Sequence, residues 1–122
     1  MARILVVDDE ALARFTLREI LESAGHQVAE AKDGQEAISF QAADSFDLII
    51  TDMIMPRKEG VETIIELRRD YPDLKIIAIS SSGRVRNLDL LNLARELGAD
   101  QILAKPFSPE ELLERVNHSL SG

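Results

Sequence analysis

The sequence predicts an α/β fold: a doubly wound parallel sheet of five strands with five helices on its faces. Three observations carry that reading. Short apolar runs of strand length recur along the chain, as expected of strands buried on both faces. They alternate strictly with amphipathic stripes at helical spacing, which implies parallel strands joined by right-handed crossovers. The connections are short, with no repeat, low-complexity tract or linker, so residues 1–122 read as one domain.

The first strand is Arg3 to Val7, and it runs straight into Asp8, Asp9 and Glu10. Ala13, Leu17, Ile20, Leu21 and Ala24 form the first helical stripe, with Gly25 as a natural C-terminal cap. Gln27 to Ala31 alternates and reads as a strand with one wetter face. Asp33-Gly34 is a turn, after which Ala37, Ile38 and Ala42 mark a modest helix. The central strand follows: Phe46, Leu48, Ile49 and Ile50 are apolar, the run stops on Asp52, and Pro56 blocks regular structure beyond it.

The segment RKEG after Pro56 is a polar loop, and Val61, Ile64, Ile65 and Leu67 give a third helix ending near Tyr71-Pro72-Asp73. Lys75 to Ile79 is the fourth strand, terminating in Ser80, Ser81, Ser82 and Gly83. Asn87 is a good N-cap for a helix to Leu97, with Asp89 in its first turn and Gly98 past its end. Gln101 to Ala104 is the fifth strand, followed by Lys105-Pro106-Phe107. Ser108-Pro109-Glu110-Glu111 is a strong helix start, and Leu112, Leu113, Val116 and Leu120 supply the last buried stripe.

Composition narrows the function. With 45% apolar and 30% charged residues the chain is that of an ordinary globular protein. A formal net charge of -8 argues against direct nucleic-acid binding, which needs clustered Lys and Arg. No cysteine is present, so disulfides, thiolate metal sites and cysteine nucleophiles are excluded. No apolar run reaches membrane-spanning length, and the N-terminus lacks a basic segment followed by an apolar one. A cytoplasmic protein is the expectation.

In the flavodoxin-like order 2-1-3-4-5, the ends of strands one and three lie side by side at the switch point. Asp8, Asp9 and Asp52 would then converge, with Ser80 and Lys105 reaching the same rim. Taken singly, each has an ordinary structural reading. Asp8 or Asp9 could cap the first helix, Asp52 could cap a turn, Ser80 could be a loop serine and Lys105 a solvated charge. Together they form a set suited to phosphoryl chemistry. Carboxylates from separate strands suit a hard cation such as magnesium, a carboxylate can accept a phosphoryl group as an acyl phosphate, and a hydroxyl and an ammonium group can contact its oxygens.

These pieces, ILVVDDE, LIITDMIMP, the serines opening with Ser80, and AKPF, resemble the receiver domain of bacterial two-component response regulators. The resemblance runs from Ile4 almost to the C-terminus and points to a stand-alone, single-domain signalling switch that uses Mg2+. It implies that Asp52 accepts the phosphoryl group and that Asp9, Asp52 and the backbone carbonyl of Ile54 bind magnesium directly. Asp8 would act through water, Ser80 would be the switch hydroxyl, and Lys105 would contact the phosphoryl group. It also implies a cis peptide between Lys105 and Pro106. The donor would be a sensor histidine kinase or a phosphorelay protein. The domain would catalyse its own phosphorylation and dephosphorylation without being an enzyme in the ordinary sense.

Three departures from the family pattern stand out. Ile102 occupies the position three before Lys105 where Tyr or Phe is usual; the loop from Ser80 to Asn87 is longer and carries Arg84 and Arg86; and Ile54 is apolar. The helix from Asn87 carries more leucine than one buried stripe needs. Output to a protein target, or self-association, is therefore expected through that helix, the fifth strand and the last helix, unless the preceding loop covers the spare face. Two other functions compete. A magnesium-dependent phosphatase of haloacid dehalogenase type also uses an aspartate nucleophile, but it places a second aspartate two residues on, where this chain has Glu10 or Ile54. A receiver-like module that binds partners without phosphorylation would not need the intact acidic set.

Overall fold

The computed structural model describes residues 2–52, 59–80, 96 and 98–121. Its strands are β1 (Arg3–Val7), β2 (Gln27–Ala31), β3 (Leu48–Asp52), β4 (Lys75–Ser80) and β5 (Gln101–Ala104). Its helices are α1 (Ala11–Ser23), α2 (Gly34–Ala43), α3 (Glu59–Asp70) and α4 (Pro109–Ser121). The strands form one parallel sheet in the order β2-β1-β3-β4-β5, as expected. The fifth helix expected, Asn87 to Leu97, lies outside the described residues apart from Glu96, which is helical.

Alternation along the central strands divides the core into two layers. Ile4, Val6, Leu48, Ile50, Ile77 and Ile79 face Leu17 and Leu21 of α1 and Leu112 and Val116 of α4. Leu5, Val7, Ile49, Ile76 and Ala78 face Ala37 of α2 and Ile64 and Leu67 of α3. Fully burying one such aliphatic side chain is worth roughly 1.5–3 kcal/mol, so this double layer dominates stability. β2 is an edge strand, and only its last residue, Ala31, is fully buried.

Local chemistry sets the element ends. Gly25 closes α1 at φ 94°, its N–H donating to the Glu22 carbonyl at 3.0 Å. Asp33 is more than a turn residue: its carboxylate accepts from the Glu36 N–H at 2.8 Å and so caps α2. At α4 the capping box is complete, with the Glu111 N–H donating to Ser108 Oγ and the Ser108 N–H to Glu111 Oε1, each at 3.1 Å. α3 is described from Glu59, and of its expected apolar stripe Ile64 and Leu67 are buried while Ile65 is 44% exposed. No helix among the described residues is long and apolar enough to cross a membrane.

Arg68 fastens the sheet where β4 and β5 begin. Its guanidinium donates to the carbonyls of Pro72 and Leu74, both at 2.7 Å, and to that of Gly98 at 2.8 Å. It also pairs with Asp100 at 2.7 Å, whose Oδ2 in turn accepts the Ile76 N–H at 2.8 Å. Five donors on a planar fork suit this load, which a lysine could not carry.

Gly98 lies under this clamp at φ 129°, and a Cβ there would come within 2.9 Å of the Arg68 side chain. Gly25 also has positive φ but open space around it. Gly98→Ala is expected to destabilise the fold by about 2–3 kcal/mol, and Gly25→Ala by only about 1 kcal/mol. Urea unfolding of both variants measures the order, and equal losses would contradict it.

Candidate functional site

The register of the sheet decides what meets at its other edge. Val7 of β1 pairs with Thr51 of β3, so Asp8 and Asp52, each one residue further on, lie side by side. Asp52 pairs with Ile79 of β4, and Ser80 pairs with Ala104 of β5, which brings Lys105 to the same rim. The lysine Nζ is 3.7 Å from Asp8 Oδ2 and 3.9 Å from Asp52 Oδ2. Asp8 is 1% exposed and Asp52 4%, so both carboxylates are essentially out of bulk water. Charges buried this deeply need a partner, and the ammonium group of Lys105 lies against both.

Asp8 is held on every side. Its N–H donates to the Ala31 carbonyl at 3.1 Å, and its Oδ1 accepts the Glu10 N–H at 2.9 Å. Its own carbonyl accepts from Arg14 Nη1 at 2.7 Å. Arg14 also reaches Glu30 Oε1 at 3.0 Å, and Arg18 takes Glu30 Oε2 at 2.8 Å. The Arg18 hydrogen bond, followed by that of Arg14, holds the Glu30 carboxyl below the usual carboxylate range against the opposing effect of burial.

The structure thus brings Asp8, Asp52 and Lys105 together and puts the Ser80 backbone beside them. Asp9 is exposed next to Asp8. No group of three or more His, Cys, Asp or Glu that could hold a metal is found among the described residues. The donor chemistry of Asp8 and Asp52 still fits a hard cation, since both offer carboxylate oxygens only. Ile54 and the side chain of Ser80 lie outside the described residues, as do Arg84 and Arg86. The Lys105-Pro106 peptide is cis, as the resemblance implied. Ile102 is partly buried and packs against the core layer that contains Ala78 and Ala99.

Sequence reasoning missed a groove of about 610 Å³ beside this pocket, lined by Leu12, Ala13, Thr16 and Ile20 of α1 and by Lys105, Pro106 and Phe107. Leu12 is 76% exposed, and its neighbour on the helix, Phe15, is 57% exposed. The available signal was that both fall off the buried stripe of α1.

Residues 4–117 match the family model of the response regulator receiver domain. The chain is 42% identical over 118 residues to the response regulator MprA of Mycolicibacterium vanbaalenii, an alignment covering 93% of this chain and 48% of that protein. The chain spans about half the length of the curated relatives it matches. Among solved structures, a CheY-like response regulator receiver domain protein from Methanospirillum hungatei superposes with a TM-score of 0.88 at 28% identity, covering 99% of this chain and 94% of that one. A receiver domain protein from Clostridium thermocellum gives 0.90 at 30% identity, with 99% and 95% covered.

Two outcomes follow from the charges. Glu30 has its folded pKa depressed, so its stabilising effect is full above the ordinary glutamate value of about 4.3 and is lost as pH falls through the depressed value. Glu30→Gln should therefore be less stable than the parent by about 1 kcal/mol at pH 7, and the gap should close in acid. A gap that widened on acidification would reverse the sign. Lys105→Met, measured without divalent cations, should lose about 2 kcal/mol because two buried carboxylates lose a shared cation. Adding Asp8→Asn to it should restore at least half of that loss, and strictly additive losses in a double-mutant cycle would show that the pair is not coupled.

Proposed function

Because the chain belongs to the response regulator receiver domain family, we propose that it is a signalling switch that accepts a phosphoryl group on Asp52. The observation that carries this reading is the convergence of Asp8, Asp52 and Lys105 at the strand ends, with Asp52 buried at the close of the central strand. A carboxylate oxygen of Asp52 attacks phosphorus, the bond from phosphorus to the donor breaks, and an acyl phosphate forms. Lys105 is within 4 Å of the acceptor oxygen and would follow the negative charge onto the phosphoryl group. Ser80, one residue past the strand rung of Asp52, would donate its hydroxyl to the same group.

Asp9 and Asp52, with the backbone carbonyl of Ile54, would hold magnesium directly, while Asp8 would act through water. Bound there, magnesium supplies positive charge to the phosphoryl oxygens in flight. The donor would be a sensor histidine kinase or a phosphorelay protein, and the reaction would be cytoplasmic. Support for a protein donor comes from the apolar groove that opens beside Lys105, with Leu12 exposed along it. Output passes to a protein target or a second copy through segment 87–97, β5 and α4, of which β5, α4 and Glu96 lie within the described residues.

Intact mass after incubation with acetyl phosphate and magnesium tests the assignment. The parent should gain one phosphoryl group, a gain prevented when the metal is chelated before the incubation, and Asp52→Asn should gain none. An equal adduct in both proteins would overturn Asp52 as the acceptor.

A further inference from the structure

We propose that Arg14 is a positioning residue for the acidic pocket: it fixes the peptide that joins Asp8 to Asp9 and so sets where Asp9 stands. The consequence for magnesium rests on the reading above; the geometric role does not. α1 begins without help from a capping side chain, since Glu10 at its N-cap makes no side-chain cap hydrogen bond. The turn ahead of the helix is held instead from one turn inside it. Arg14, whose side chain is 18% exposed, bends back so that Nη1 meets the Asp8 carbonyl at 2.7 Å while Nε meets Glu30 Oε1 at 3.0 Å.

The carbonyl of Asp8 and the N–H of Asp9 belong to one planar peptide. Fixing the first fixes the direction of the second, and with it the point from which the Asp9 side chain leaves the chain. The other side of Asp8 is fixed by its N–H on the Ala31 carbonyl. Glu30, which anchors Arg14 on β2 through Oε1, meets Arg18 through its other oxygen, Oε2, at 2.8 Å. Only a fork of fixed geometry serves both acceptors at once, and a lysine in this place would keep the charge and lose one of the two bonds.

The ordinary alternative is that Arg14 merely ties α1 to β2. Arg18 provides the matched control, because it also pairs α1 with Glu30 while its hydrogen bonds go to Glu22 and Glu30 and not to Asp8. The test compares the parent, Arg14→Ala, Arg14→Lys and Arg18→Ala. Amide exchange at Glu10, whose N–H is bonded to Asp8 Oδ1, reports the turn, and calorimetric titration with magnesium chloride reports the pocket. Arg14→Ala should speed Glu10 exchange and weaken magnesium binding, each by about tenfold, the lower range for losing a residue that orients metal ligands. Arg18→Ala should lower the melting temperature comparably yet leave both readouts within about twofold of the parent. Equal effects in the two alanine variants, or none in Arg14→Ala, would overturn the proposal. If Arg14→Ala fails to fold, Arg14→Lys carries the comparison, with a smaller shift in the same direction. If the parent itself binds no magnesium, the phosphoryl-acceptor reading fails, and Glu10 exchange alone still decides the role of Arg14.

Discussion

Two carboxylates, Asp8 and Asp52, are buried side by side at the end of the sheet where strands finish, and the ammonium group of Lys105 lies against both. Much of the architecture follows from that requirement. Two acids this close repel each other, and the low dielectric around them strengthens the repulsion as well as the attraction to a cation. The acids come from adjacent strands, β1 and β3, and the lysine arrives from β5, two places away across β4. Only a long, extended side chain spans that gap. The aliphatic stem of a lysine does so while its charged head stays at the rim, where it remains partly exposed.

The opposite edge of the sheet is built on another plan. There, where β4 and β5 start, Arg68 takes three backbone carbonyls and one carboxylate. The groups of that clamp are paired within the fold, while the other end of the sheet holds Asp8 and Asp52 close together. Between the two ends, the two aliphatic layers supply enough burial for the fold to tolerate those like charges, in keeping with the common finding that strain at a site is offset elsewhere.

How much of this was legible in the sequence depends on whether a feature has a local cause. The strands were legible because buried parallel strands are apolar runs, and the topology because such runs alternate with helical stripes. The Ser108 to Glu111 cap was legible because its two partners are three residues apart. Asp33 was half legible: its Asp-Gly pair signals a turn, but the cap on α2 shows only when the Glu36 N–H is found on its carboxylate. Asp8, Asp52 and Lys105 were legible as a set because each ends a strand. Arg14 and Arg68 were not. An arginine on a helix reads as a solvated charge, and Glu30 and Asp100, 16 and 32 residues away from them, become neighbours only once the sheet has formed.

The same contrast bears on how a signal could leave the pocket. A phosphoryl group on Asp52 would add negative charge beside Asp8, and Lys105 would have to divide its charge differently between them. Asp8 has little room to respond, since its N–H, its carbonyl and its Oδ1 are all engaged by β2, Arg14 and Glu10. The β1 side of the pocket is therefore the fixed wall. A change in charge at a fixed wall is relieved on the opposite side, and here that side is formed by the ends of β4 and β5, where Ser80 and Lys105 stand. A ligand moves an equilibrium only through its different interactions with the two states. Among the described residues, the engaged groups of Asp8 would leave Lys105, whose side chain is partly exposed, as the member of the pocket with room to respond.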